Sequence, residues 1–265
     1  MSVNRIEQKF RELKKKNKKA FIVFITAGFP NFEITRKLVL ELQNCGADLI
    51  ELGVPFSDPL ADGPVIQKSS QFSIEAGATL NKILALVKSL RYKTRIPLCL
   101  MSYYNLIFRF GKQRFLAKSS SSGVDGIIVP DLTPEEDKDF VSGCRRYNID
   151  TVFFLSPTTP LKRVSFVNKI SRGFIYYVSL TGVTGARKKL PADLVRNLKT
   201  VKRYADKPVC VGFGVSRPQQ VKEIFRVADG VIVGSAVIKK IQQNLGKRDL
   251  VKRVGRFVRY LANVR

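Results

Sequence analysis

Eight β-branched or aromatic runs alternate with eight amphipathic helical patterns along the 265 residues, which predicts a closed, eight-stranded parallel α/β barrel of the (β/α) TIM type. The strand runs are near-continuously apolar, as expected when helices cover a sheet and parallel neighbours are joined by crossovers. A loose repeat supports equivalent units: Gly46-Ala-Asp-Leu-Ile, Gly123-Val-Asp-Gly-Ile-Ile and Ala228-Asp-Gly-Val-Ile each join a helix end to a strand start. Its spacing is too irregular for a solenoid. Eight units in one chain of this length point to closure and not to an open, doubly wound sheet.

The elements follow in order. Ile6, Phe10 and Leu13 share a helical face among mixed basic and acidic residues, so the N-terminal stretch reads as a helix and not as a targeting segment. Strands are predicted over 21–26, 48–53, 98–102, 126–130, 151–155, 174–179, 209–213 and 231–233. Helices are predicted over 33–45, 80–91, 112–120, 135–147, 162–170, 192–204, 218–227 and 249–263. The last is basic and amphipathic, with Leu250, Val254, Val258 and Leu261 on one face and Lys252, Arg253, Arg256 and Arg259 among its exposed positions. Only Ser119–Ser122 approaches low complexity, so residues 1–265 read as a single domain.

Composition excludes several chemistries. There is no histidine, so Ser–His and Cys–His nucleophile systems and imidazole zinc sites cannot be built, and no metal is expected. Acid–base chemistry must fall to Asp, Glu, Tyr, Lys or Cys. Cys45, Cys99, Cys144 and Cys210 are widely spaced without a CxxC pair, as for reduced core thiols in a cytoplasm, or in a plastid stroma if the gene is organellar. No apolar run reaches the roughly 18–20 residues that would span a bilayer. The formal charge of +26 would draw anions from sugar phosphates to nucleic acid. No RNA-binding aromatic motif, recognition-helix pattern or basic–aromatic interleaving accompanies it, so no specific nucleic-acid partner is expected.

Against that charge, the window from Leu38 to Gln67 holds five acidic residues and no Lys or Arg. Its centre reads Glu51-Leu-Gly-Val-Pro-Phe-Ser-Asp-Pro-Leu-Ala-Asp-Gly-Pro64. Glu51 lies near a strand's C-terminal end between apolar neighbours, where desolvation raises a carboxyl pKa and suits it to move protons near neutral pH. Capping a loop or pairing with a lysine is the alternative role. Asp62 lies between Ala61 and Gly63, where backbone can approach a ligand. Asp58, between Ser57 and Pro59, has the setting of a turn former.

Barrel active sites form at the C-terminal strand ends. Val211-Gly-Phe-Gly-Val-Ser follows the seventh predicted strand and Val233-Gly-Ser-Ala the eighth, the two places where barrels often bind phosphate. Gly214, Gly234 and Ser235 are the candidates there. Leu180-Thr-Gly-Val-Thr-Gly-Ala-Arg, after the sixth, suits either a closing loop or a plain connection. Phe24, Tyr103, Tyr176 and Phe213 would offer a slot for a flat ring, or simply core.

The 51–64 segment closely resembles the signature of the tryptophan synthase alpha subunit family, and the likeness runs from Phe24-Ile-Thr-Ala-Gly to Ser235. That family cleaves indole-3-glycerol phosphate to indole and glyceraldehyde 3-phosphate in tryptophan biosynthesis. The resemblance implies a carbon–carbon lyase with Glu51 and Asp62 as the catalytic pair. It implies Thr184 in loop closure, Gly185 beside the phosphate, and indole in the aromatic slot. It also implies no cofactor in this chain and an alpha2-beta2 heterotetramer whose beta subunit holds pyridoxal phosphate. A stand-alone lyase releasing free indole would share these residues. Ser102–Asn105, Pro130-Asp131 and the high charge depart from the family's pattern. Glu51 and Asp62 are expected to open onto one cavity with Gly214, Gly234 and Ser235.

Overall fold

The structure, a computed structural model, describes residues 3–178, 192–212 and 214–264. Its strands are β1 (Ala20–Thr26), β2 (Leu49–Gly53), β3 (Leu98–Met101), β4 (Gly126–Ile128), β5 (Asp150–Val152), β6 (Phe154–Leu155), β7 (Ile175–Val178), β8 (Val209–Gly212) and β9 (Gly230–Val233). All pairings are parallel, in the order β5-β4-β3-β2-β1-β9-β8-β7-β6. The nine strands occupy eight barrel positions. Only Phe153 separates β5 from β6, and its carbonyl accepts the Tyr176 N–H at 3.0 Å. β5 pairs with β4 while β6 pairs with β7, so the strand expected over 151–155 changes partner midway and closes the ring.

Alternation along each strand produces two layers. Phe21, Val23, Ile50, Leu52, Val209, Val211, Val231 and Val233 point outward into the core shared with the helices. Ile22, Leu49, Cys99, Phe174, Cys210 and Ile232 point inward and fill the barrel. The N-terminal end is plugged by α1 (Arg5–Lys15), whose Ile6, Phe10 and Leu13 join that interior cluster. A Cβ at Gly126 or Gly173 would lie 2.7 or 3.0 Å from Ile6, so those glycines make room for the plug.

The repeated aspartates have one structural role. Asp48, Asp125 and Asp229 each donate their N–H to the carbonyl of the neighbouring strand's Phe21, Leu98 or Val209. Each side-chain carboxylate then accepts the N–H of that same residue, at 2.8, 2.8 and 3.0 Å. The loose sequence repeat is therefore a clasp at the start of three strand pairs.

The remaining helices are α2 (Phe32–Asn44), α3 (Pro64–Glu75), α4 (Leu80–Arg91), α5 (Tyr104–Phe110), α6 (Lys112–Ser122), α7 (Lys138–Arg146), α8 (Leu161–Ile170), α9 (Ala192–Tyr204), α10 (Pro218–Phe225), α11 (Ser235–Gln242) and α12 (Leu250–Ala262). Three of them, α3, α5 and α11, are additions to the expected set. α3 escapes periodicity because the side chains it buries fully are Ser69, Ser70 and Ser73, and hydroxyls leave no apolar stripe. Ser69 bonds Thr26 of β1 at 2.6 Å. α7 starts three residues later than expected, because Asp137 caps it by accepting the Phe140 N–H at 2.9 Å. All four cysteines are buried and free. Among the described residues, no helix is long and apolar enough to cross a membrane.

Candidate active site

A cavity of about 530 Å³ opens where the strands end. Phe24 of β1, Met101 of β3, Tyr176 of β7 and Ile232 of β9 form its apolar floor. One wall is the stretch Ala61–Ile66, running from the loop after β2 into α3. The opposite wall carries Gly212 at the end of β8, Gly214, Ser216 and Arg217 after it, and Gly234, Ser235 and Lys239 after β9.

Glycines place the floor. A Cβ at Gly53 would lie 2.4 Å from the Phe24 ring, and one at Gly212 would lie 2.5 Å from the Tyr176 ring. The far end of each aromatic ring therefore occupies the space that a side chain on the neighbouring strand would take.

Asp62 is half-buried on the first wall. Burial raises its pKa, and a hydrogen bond from the Tyr103 hydroxyl opposes that rise. The same hydroxyl accepts the Ala61 N–H at 3.0 Å, and the Tyr103 ring stacks on Phe56 at 5.0 Å. Tyr103 is thus a buried strut under the loop and does not line the cavity, because its hydroxyl is drawn to the loop backbone. Gln67 Nε2 donates to the Asp62 carbonyl at 2.7 Å and ties the loop to α3. Asp58 is exposed and accepts the Ser57 hydroxyl at 2.5 Å, a local turn contact.

Glu51 lies between Phe24 and Cys99 in the sheet register. It is 0% exposed, and neither carboxylate oxygen has a hydrogen-bond partner among the described residues. Burial alone pushes its pKa up to about 8. Its field acts on Tyr176, Cys99 and Cys210, which places it in the barrel interior near the floor. Glu51 does not open onto the cavity with Asp62: its side chain is enclosed in the barrel interior and is not among the described residues that line the cavity.

On the opposite wall, the Ser216 and Arg217 N–H groups both donate to the Oε1 of buried Gln220, at 2.9 and 3.1 Å. Gly234 caps α11 without a side-chain bond, and the start of that helix, Gly234, Ser235 and Ala236, lines the cavity. Asp62, Gly214, Gly234, Ser235, Phe24 and Tyr176 therefore share one cavity, and Glu51 and Tyr103 lie behind its surface. Thr184, Gly185 and Phe213 lie outside the described residues. Sequence reading passed over Met101, Ile232, Arg217 and Lys239. Lys239 had a legible signal, one helical turn beyond Ser235. The arrangement offers an anion site at one end, an apolar platform, a carboxylate opposite, and a buried carboxyl that holds its proton near neutral pH.

A family model described as tryptophan synthase alpha chain matches residues 10–264. A tryptophan synthase alpha chain of Geotalea uraniireducens is 50% identical over 256 residues, covering 97% of this chain and 96% of that one. The crystal structure of tryptophan synthase subunit alpha from Legionella pneumophila superposes with a TM-score of 0.92 at 33% identity, covering 99% and 98% of the two chains. A structure of the tryptophan synthase a2b2 complex of the hyperthermophile Pyrococcus furiosus gives a TM-score of 0.87 at 39% identity, covering 92% and 98%.

Proposed function

Because this chain belongs to the tryptophan synthase alpha chain family, we propose that its cavity carries out the family's retro-aldol step, cleaving indole-3-glycerol phosphate to indole and glyceraldehyde 3-phosphate in tryptophan biosynthesis. The observation that supports the site assignment is the polarity of the cavity: Asp62 on one wall, the free α11 N-terminus on the other, and Phe24 and Tyr176 between them.

In this reading the phosphate docks against Gly214, Gly234 and Ser235, and the indole ring lies over the aromatic floor. C3 of the indole takes a proton, which makes the ring a leaving group. Asp62 balances the positive charge that grows on the ring nitrogen. The glycerol hydroxyl loses its proton as the aldehyde forms. Glu51, protonated near neutral pH, serves both transfers, each typically worth ~10²–10⁴ in rate. From its place behind the floor, its carboxyl must turn into the cavity to reach the substrate.

The chain works as a single domain without a cofactor of its own, as the alpha partner of a pyridoxal-phosphate-dependent beta subunit in an alpha2-beta2 assembly. Pairing keeps the small apolar product from diffusing away. The free buried thiols fit a cytoplasmic enzyme. The test is indole release from indole-3-glycerol phosphate by the purified chain, alone and with a beta subunit. Absence of indole in both would sink the reading.

A further inference from the structure

We propose that Arg217 and Lys239 form a cationic clamp that recognises the phosphate by charge, so that this site does not rely on backbone N–H groups alone. The inference rests on the functional reading above and extends it to two residues. Asp62, Arg217 and Lys239 are the Asp, Glu, Lys and Arg side chains among the described residues lining the cavity. The acid is on the wall after β2, and both cations are on the wall after β8 and β9. Neither cation makes an ion pair among the described residues, in a molecule where many other basic side chains do.

Local geometry explains why side chains are needed there. The α10 end of the wall offers little backbone, because Gln220 takes the N–H groups of both Ser216 and Arg217. The Arg217 side chain is then what that corner presents to an anion. At the α11 end the backbone is available, since Gly234 has no capping side chain. Lys239 lies four residues after Ser235, on the same face of α11, and lines the same cavity. A helix terminus supplies only about half a charge. A phosphate monoester carries close to two at neutral pH, and two full cations make up the difference. The planar fork of Arg217 also suits bidentate contact with phosphate oxygens.

Both side chains are exposed, so each contact is screened and moderate. The net charge of +26 attracts anions everywhere, and a test must separate the clamp from that background. Binding of glycerol 3-phosphate and of inorganic phosphate is measured by calorimetry for the wild type, Arg217→Ser, Lys239→Gln and the double variant. Lys252→Gln, on the exposed face of α12, removes one equal charge away from the cavity. Each single substitution is expected to weaken glycerol 3-phosphate about 3–10-fold and the double about 30-fold, with a flatter salt dependence. With indole-3-glycerol phosphate the loss falls on KM and not on kcat, and Arg217→Lys recovers part of it. Binding by Arg217→Ser within twofold of wild type, or an equal loss in Lys252→Gln, overturns the clamp. So does a wild type that binds neither anion. If binding depends on Arg217 but no indole is ever released, the clamp stands and the functional reading falls.

Discussion

Asp125 and Leu98 are joined twice: the Asp125 N–H donates to the Leu98 carbonyl at 2.9 Å, and the Asp125 carboxylate accepts the Leu98 N–H at 2.8 Å. The carboxylate also holds Arg5 of α1 and Arg91 of α4, both at 2.6 Å. One side chain thus fastens a strand pair, the plug helix and an outer helix. Asp125→Ala should cost about 3 kcal/mol, because the half-buried Arg91 guanidinium loses its carboxylate while keeping its bonds to the Gly123 and Ile96 carbonyls, and the Leu98 N–H loses its acceptor. Asp125→Asn, which keeps an acceptor for Leu98, should cost about half as much. Urea unfolding would check the order of the two, with KM for substrate unchanged in both.

Gly53 lies beneath the Phe24 ring with no room for a methyl group. Gly53→Ala should force the ring towards the cavity, costing ~1–3 kcal/mol and narrowing the platform. The expected signature is a lower unfolding midpoint together with a higher KM. A variant that keeps both wild-type values would show that the ring moves without consequence.

Glu51→Gln should reduce turnover at least ~10²-fold while leaving phosphate affinity intact. Its stability effect has a definite sign. The folded carboxyl titrates at about 8, above its ordinary 4.5, so the native state binds the proton more tightly than the unfolded chain. Wild-type stability therefore falls as pH rises from the ordinary carboxyl value to about 8, and levels off above it. The glutamine variant lacks this loss, and should be the more stable protein at pH 8–9. Parallel unfolding curves at pH 5 and pH 9 would decide it.

Asp62→Asn should also be severe, because an amide cannot balance charge on the ring nitrogen. Asp58→Asn should retain most turnover, since the Asp58 carboxylate is exposed and bonded to its neighbour Ser57. Tyr103→Phe should fall between them, because it frees Ala61 and loosens the loop that carries Asp62. Single-turnover rates for the three variants would test the ranking.

The isolated chain should release indole slowly, and a beta subunit should raise its turnover ~10-fold or more, equivalent to about 1.4 kcal/mol of coupling. The Asp62 loop is held from below by Tyr103 and from the side by Gln67, while Leu60 at its tip is 90% exposed. A docked partner has an apolar handle by which to favour the competent loop. Equal turnover with and without the partner would argue for an independent lyase.

What the sequence alone determined was whatever depends on local order. Alternating apolar runs and helical periods specify strands, helices and their parallel closure, because these repeat along the chain. The Gly-rich segments after the last two strands and the Asp62 end of the acidic stretch marked the cavity's walls. The aspartate repeat was visible too, although its role as a clasp needed the facing strand. The tertiary structure decided what depends on distant residues meeting. Glu51 is enclosed in the barrel interior, fully buried and absent from the described residues that line the cavity, and no pattern around position 51 records that. Tyr103 turned from the slot to the Asp62 loop because its hydroxyl met the Ala61 N–H, 42 residues away in sequence. α3 was hidden because it buries serines, and the partner change at Phe153 because a strand's pattern is the same whichever neighbour it pairs with. Arg217 and Lys239, ordinary members of a basic chain, became neighbours of one cavity only when barrel closure set β8 beside β9.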